Sequence, residues 1–150
     1  MKVAVIGSRN LKIDCLEEYL PKNITEIVSG GAKGIDSCAR IYARLKGIKL
    51  TEFLPDYQKY GKGAPLKRNL QIIDYADQVI AFWDGKSKGT KYVIENCKKR
   101  KKKIDVYILF IWITGYITIL PKNFRQKSKV FLQYMKAMKT RGIHQKMNAS

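Results

Sequence analysis

Apolar positions along the chain follow two periods in turn. Short, largely β-branched runs close on glycine, proline or tryptophan, and after most of them apolar residues recur every three or four positions. Lys2 to Ile6 reads as a buried strand ending at Gly7, and Glu26 to Val28 as a second strand entering Ser29-Gly30-Gly31. Lys49 to Leu54 reads as a third strand closed by Pro55, Val79 to Trp83 as a fourth and Ile104 to Leu109 as a fifth. Between them the spacing predicts four helices. The first is capped by Asn10, carries Leu11, Cys15, Leu16, Tyr19 and Leu20 inward, and ends at Pro21. The second runs from Gly34 to about Lys46 with Ile35, Cys38, Ala39, Tyr42 and Leu45 inward, and Gly47 stops it. The third spans Ala64 to Ala76 with Leu66, Leu70, Ile73 and Ala76 inward, after a long polar loop from Asp56 to Gly63. The fourth spans Gly89 to Lys99 with Thr90, Val93, Ile94 and Cys97 inward. Strand and helix in alternation predict an α/β domain over residues 1–110: a Rossmann-like parallel sheet with helices on both faces.

Charge changes the picture at the far end. The 150 residues carry 30 Lys+Arg against 12 Asp+Glu, a formal +18 that attracts polyanions. Every acid lies at or before Asp105, and residues 106–150 hold 8 basic residues and none acidic. Residues 111–150 therefore read as a basic C-terminal extension whose structure the pattern does not fix. Its uncharged run from Val106 to Leu120 would be about 22 Å long as a helix, short of the roughly 30 Å hydrocarbon core, which argues against an integral membrane span. A last sheet strand turning at Thr114-Gly115 into another strand suits its β-branched content better. Ser128 to Arg141 has the spacing of a basic amphipathic helix, fit to pack on its own domain, to dimerise, or to lie on nucleic acid or anionic lipid. Three cysteines without a CxxC pair and one histidine supply no metal set, no cofactor is required, and the absence of a secretory signal makes the cytoplasm the default location.

The candidate chemistry lies in three loops that leave the carboxyl ends of predicted strands, where ligands sit in doubly wound sheets. They are Gly7-Ser8-Arg9, Ser29-Gly30-Gly31-Ala32-Lys33-Gly34-Ile35-Asp36 and Asp84-Gly85-Lys86-Ser87-Lys88-Gly89-Thr90. Each combines glycine, a small hydroxyl and a cation. Glycines let the backbone approach a ligand, a helix N-terminus favours an anion, and Lys33 adds charge to the second loop. Glycine for turn geometry alone is the plainer account of any one loop. Asp36 suits the helix dipole or a ligand equally well. Arg68-Asn69 open what reads as the exposed side of the third helix, where the arginine is either a phosphate clamp or an ordinary surface residue. Tyr57, Tyr60 and Trp83 are able to stack on a base or to pack as rim aromatics. The six basic residues Lys98 to Lys103 read as a solvated helix end or as a nucleic-acid contact.

Taken in order, Gly7-Ser8-Arg9, VSGGAKGID at Val28 to Asp36, Arg68-Asn69 and the segment Asp77 to Thr90 resemble the SLOG superfamily, most of all its YspA branch. The likeness covers about residues 2–109. It implies a Rossmann-like domain that binds a nucleotide or nucleotide-derived ligand, with phosphate on the SGGAKGID loop. YspA-like proteins are taken as nucleotide sensors or processors in phage, defence or nucleotide metabolism, and relatives that commonly dimerise make a homodimer an expectation. In DprA-like members the matching loop and RN pair lie near single-stranded DNA, which would set Lys33 and Arg68 on nucleic acid. The site residues carried over are Gly7, Ser8, Arg9, Ser29, Gly30, Gly31, Lys33, Gly34, Asp36, Arg68, Asn69, Asp84, Gly85, Ser87, Gly89 and Thr90. The "lonely guy" hydrolases of the superfamily cleave N-glycosidic bonds with a glutamate three residues after the threonine of PGGxGTxxE. Here Val93 holds that place and Glu95 lies two residues on, about 200° around the helix, so a phosphoribohydrolase or nucleotide N-glycosidase activity is poorly matched. Asp36 and Asp84 are the remaining catalytic acid or base candidates.

Overall fold

The computed structural model describes residues 1–111 and 117–121. Strands β1 (Lys2–Gly7), β2 (Glu26–Ser29), β3 (Lys49–Glu52), β4 (Gln78–Trp83), β5 (Lys103–Ile111) and β6 (Ile117–Pro121) form one sheet in the order β3-β2-β1-β4-β5-β6. The first five are parallel, and β6 closes the edge antiparallel to β5, with Leu109 opposite Ile119. The Rossmann-like α/β reading is thus what the chain adopts. The expected run of strand, turn and strand is met by β5 and β6, while the Thr114-Gly115 turn and the Ser128 to Arg141 helix lie outside the described residues.

Alternation along the strands sets the two faces. Val3 and Val5 of β1 with Ile80 and Phe82 of β4 pack on one side against Ile35, Ala39 and Ala43 of α1 (Ile35–Lys46). Ala4, Ile6, Val79 and Ala81 pack on the other against Ile72 and Ile73 of α3 (Ala64–Tyr75) and Val93, Ile94 and Cys97 of α4 (Lys88–Lys99). These residues are all but sealed from solvent, and at roughly 1.5–3 kcal/mol for each large side chain their burial is the main force holding helices to sheet. A short α2 (Tyr57–Tyr60), capped by the Asp56 carboxylate, and a 3-10 turn at Gly61–Gly63 occupy most of the expected Asp56 to Gly63 loop. Among the described residues no helix is long and apolar enough to cross a membrane.

Three expectations are corrected. The first predicted helix is absent: only a 3-10 turn at Leu16–Tyr19 forms, and Leu11 and Ile13, two residues apart, are both buried, a spacing an α-helix does not allow on one face. Tyr19 anchors this connection, its ring edge-on to Phe82 at 5.5 Å and to Tyr107 at 4.9 Å. On α1 the buried stripe runs Ile35, Ala39, Ala43, so Leu45 is 80% exposed instead of inward. On α3 the buried stripe includes Arg68 and Asn69, at 8% and 9% exposure, and Leu66 faces out at 43%. The pair does not begin an exposed side.

Candidate functional site

Strand order reverses at the neighbours β1 and β4, whose chains leave the sheet in opposite directions, toward β2 through the 3-10 turn at Leu16–Tyr19 and toward β5 through α4. A cleft opens there, at the carboxyl ends, where this topology ordinarily leaves a crevice. It encloses about 530 Å³ and is lined by Gly7, Arg9 and Asn10 after β1, Gly30, Ala32 and Asp36 after β2, Asp84, Lys86, Ser87, Gly89 and Thr90 after β4, and Pro65, Leu66, Arg68 and Asn69 from α3. Ile6, Ile72 and Val93 complete the lining.

The loops are fitted to one another at backbone range. A Cβ at Gly34, where φ is +80°, would lie 2.5 Å from the Arg9 carbonyl oxygen and 2.8 Å from that of Ser8. Glycine is therefore required to bring the second loop against the first. Ser8, fully buried, accepts the Asp84 amide at 3.2 Å and so ties the first loop to the third. Asp84 in turn accepts the Lys86 and Ser87 amides at 2.9 and 2.7 Å through Oδ1. Burial alone would raise its carboxyl, but these amides and the Ser8 hydroxyl prevail and hold it below the ordinary carboxylate range. Ser87 caps α4, accepting the Thr90 amide at 3.4 Å and the Thr90 hydroxyl at 3.1 Å. Asp84 is thus an ionised anchor of the α4 N-terminus.

Arg68 and Asp36 form the floor on the other side. Arg68 Nη1 donates to the Gly30 carbonyl and, at 3.3 Å, to that of Phe53, while its buried Nε has no partner. Asp36 accepts the Ala32 amide at 3.1 Å. Burial raises the Asp36 carboxyl, opposed by the Ala32 amide, the Arg68 charge and the Gly30 amide; burial likewise lowers Arg68, opposed by Asp36. Each makes the other's burial tolerable.

The cleft gathers Gly7, Arg9, Gly30, Asp36, Arg68, Asn69, Asp84, Ser87, Gly89 and Thr90 of the expected site. Ser8, Ser29, Gly31, Gly34 and Gly85 stand outside the lining; Ser8 and Gly34 are buried beneath it, and Ser29 accepts the Gly31 amide at 3.2 Å. Lys33 is exposed and does not line the cleft. Lys86, Asn10, Pro65 and Leu66 were not among the expected residues. Lys86 shares the pattern of glycine, hydroxyl and cation that marks its loop, whereas Asn10 has the sequence signature of a helix cap. Tyr57 and Tyr60 are exposed and also lie outside the lining. Glu95, half-exposed, stands 3.9 Å from Lys91, and Val93 occupies the cleft wall where the hydrolase motif places its glutamate. Among the described residues no group of three His, Cys, Asp or Glu side chains is placed to hold a metal ion. No protein-family model matches the chain, and no curated protein matches it in sequence.

Proposed function

We infer that the cleft binds a nucleotide or nucleotide-derived phosphate ligand, and that the chain serves as a sensor or processing module for it, as the SLOG resemblance implies. The observation that carries this reading is the convergence of Arg9, Lys86 and the α4 N-terminus with its Ser87-Lys88-Gly89-Thr90 turn on one cleft, facing an apolar wall of Pro65 and Leu66. Helix amides and two cations suit a phosphate, and the apolar wall suits the face of a base. A volume of about 530 Å³ lies within the usual range for small-molecule sites.

The phosphate belongs with Arg9, Lys86 and α4 and not on Lys33. Amides are taken in both loops, Gly31 and Ala32 by Ser29 and Asp36, and Lys86, Ser87 and Thr90 by Asp84 and Ser87. What separates them is that the Arg9 and Lys86 side chains and the Gly89 start of α4 line the cleft, whereas Lys33 lies outside it. A thermal-shift screen of the full chain against nucleoside mono-, di- and triphosphates and nucleotide sugars tests this reading, since a ligand that binds the native state raises the melting temperature. Stabilisation by one phosphate-bearing class, absent with its nucleoside, is the expected result. Equal stabilisation by the nucleoside would remove phosphate from the account.

A further inference from the structure

At the opposite edge of the sheet lies a second cationic surface that the cleft does not use. Parallel strands bring their amino ends to one edge, and α4, which starts at the cleft, delivers Lys98 to Lys103 there as it ends and turns into β5. Two of the six serve the fold: Arg100 pairs with Asp74, and Lys102 Nζ donates to the Ala76 carbonyl at 2.6 Å, where α3 ends. Lys98, Lys99, Lys101 and Lys103 are exposed, with no carboxylate partner among the described residues. The other acids near this edge form no ion pair with these lysines, and the exposed Asp77 and Asp105, held only by neutral donors, offset part of the positive charge. Asp77 accepts the Lys2 amide at 2.7 Å, Asp105 accepts Gln78 Nε2 at 2.6 Å, and Glu26 is buried under Lys49, Thr51 and Tyr75.

The backbone singles out Lys101. It has φ +53° and is the one described non-glycine residue with positive φ. Its amide donates to the Lys98 carbonyl and the Lys102 amide to that of Cys97, a left-handed helix stop. Helix α1 ends in the same way with Gly47 at φ +63°. Where only a stop is needed the chain uses glycine; at α4 it accepts left-handed strain and keeps a lysine.

We propose that Lys98, Lys99, Lys101 and Lys103 form a docking surface for the phosphate backbone of double-helical nucleic acid, read without regard to sequence. Charge gives the class of partner, and the surroundings narrow it. Of the large exposed apolar side chains of the described residues, Leu54, Tyr57, Tyr60 and Leu66 lie on the segment from β3 to α3 and Ile41 in the body of α1, and Leu45, in the last turn of α1, reaches this edge on the face opposite α4. A single leucine across the sheet makes no apolar wedge beside the lysines for a lipid surface, and no exposed aromatic stands there for unpaired bases. A duplex, with its bases already stacked, needs only cations.

The test is fluorescence anisotropy of the full chain with two labelled duplexes of unrelated sequence, over a salt series, comparing wild type with Lys98→Gln/Lys99→Gln/Lys101→Gly/Lys103→Gln. The surface predicts equal affinity for both duplexes, a loss of at least about tenfold in the variant, and a salt slope reduced by about 3 to 4 for the lost cations. Lys101→Gly alone relaxes the helix stop; it should raise the melting temperature while lowering the slope by about one. Mononucleotide thermal shifts should not change in either variant, which separates this surface from the cleft. An unchanged slope in the quadruple variant would overturn the proposal, as would tighter binding of single strands than of duplex, or capture by anionic vesicles without duplex binding.

Discussion

Arg68 and Asp36 stand on different helices and meet over one backbone position, Gly30. The Arg68 guanidinium donates to the Gly30 carbonyl, and a Cβ added at Gly30 would lie 2.9 Å from Asp36 Oδ2 and collide with the guanidinium. A buried cation and a buried anion thus share the loop that forms the cleft floor. Removing one leaves the other uncompensated.

Arg68→Met should therefore destabilise the fold by about 3 kcal/mol, because it orphans the buried Asp36 charge and two carbonyls. Adding Asp36→Asn to it should restore part of that loss. A double-mutant cycle by urea denaturation checks the coupling; strictly additive changes would show that the two groups do not interact.

Two positive-φ glycines should respond differently to alanine. At Gly34 the new Cβ meets the Ser8 and Arg9 backbone, whereas at Gly85, φ +77°, it meets open space. Gly85→Ala should cost about 1 kcal/mol from backbone conformation alone, and Gly34→Ala about 3 kcal/mol or more, since two backbones must separate. Thermal melts of the two variants give the comparison, and equal losses would contradict it.

Acid should weaken the protein through Glu26. Burial would raise this carboxyl, but hydrogen bonds from Thr51, Lys49 and Tyr75 bring it down from 4.5 to about 2. A lowered native pKa gives stability that is full above pH 4.5 and lost as pH falls toward 2. Discounted for the solvent exposure of Lys49, the contribution is about 2 kcal/mol. Glu26→Gln should be less stable than wild type at neutral pH, and the gap should narrow across that window in denaturation curves; a gap independent of pH would refute the assignment.

How much of this was legible in the sequence follows from what local pattern encodes. Alternation within strands and the apolar stripe of α4 are set by burial on a repeating geometry, so Val79 to Trp83 and Thr90, Val93, Ile94 and Cys97 were readable. The connection after β1 was not, because Leu11, Leu16 and Tyr19 fit helical spacing although only Leu16 to Tyr19 form a 3-10 turn, and the burial of Leu11 and Ile13 is decided by tertiary packing. Arg68 and Asn69 did carry a signal: they precede Ile72 and Ile73 by four residues and so fall on the buried stripe. Their charge and polarity argued the other way until the Gly30 and Phe53 carbonyls and Asp36 were brought beside the arginine by the fold. Lys33 sits in the most suggestive loop, yet nothing local distinguishes a lysine aimed into the cleft from one left outside it.

That difference gives the most direct test of the cleft as a phosphate site. Isothermal titration of the best mononucleotide from the screen into the full chain, wild type and three variants, should show Arg9→Ala and Lys86→Ala each weakening binding about tenfold, the worth of one charge-assisted contact, with Lys33→Ala close to wild type. Strong loss in Lys33→Ala with wild-type affinity in the other two would contradict the account and return the phosphate to the Ser29 to Asp36 loop.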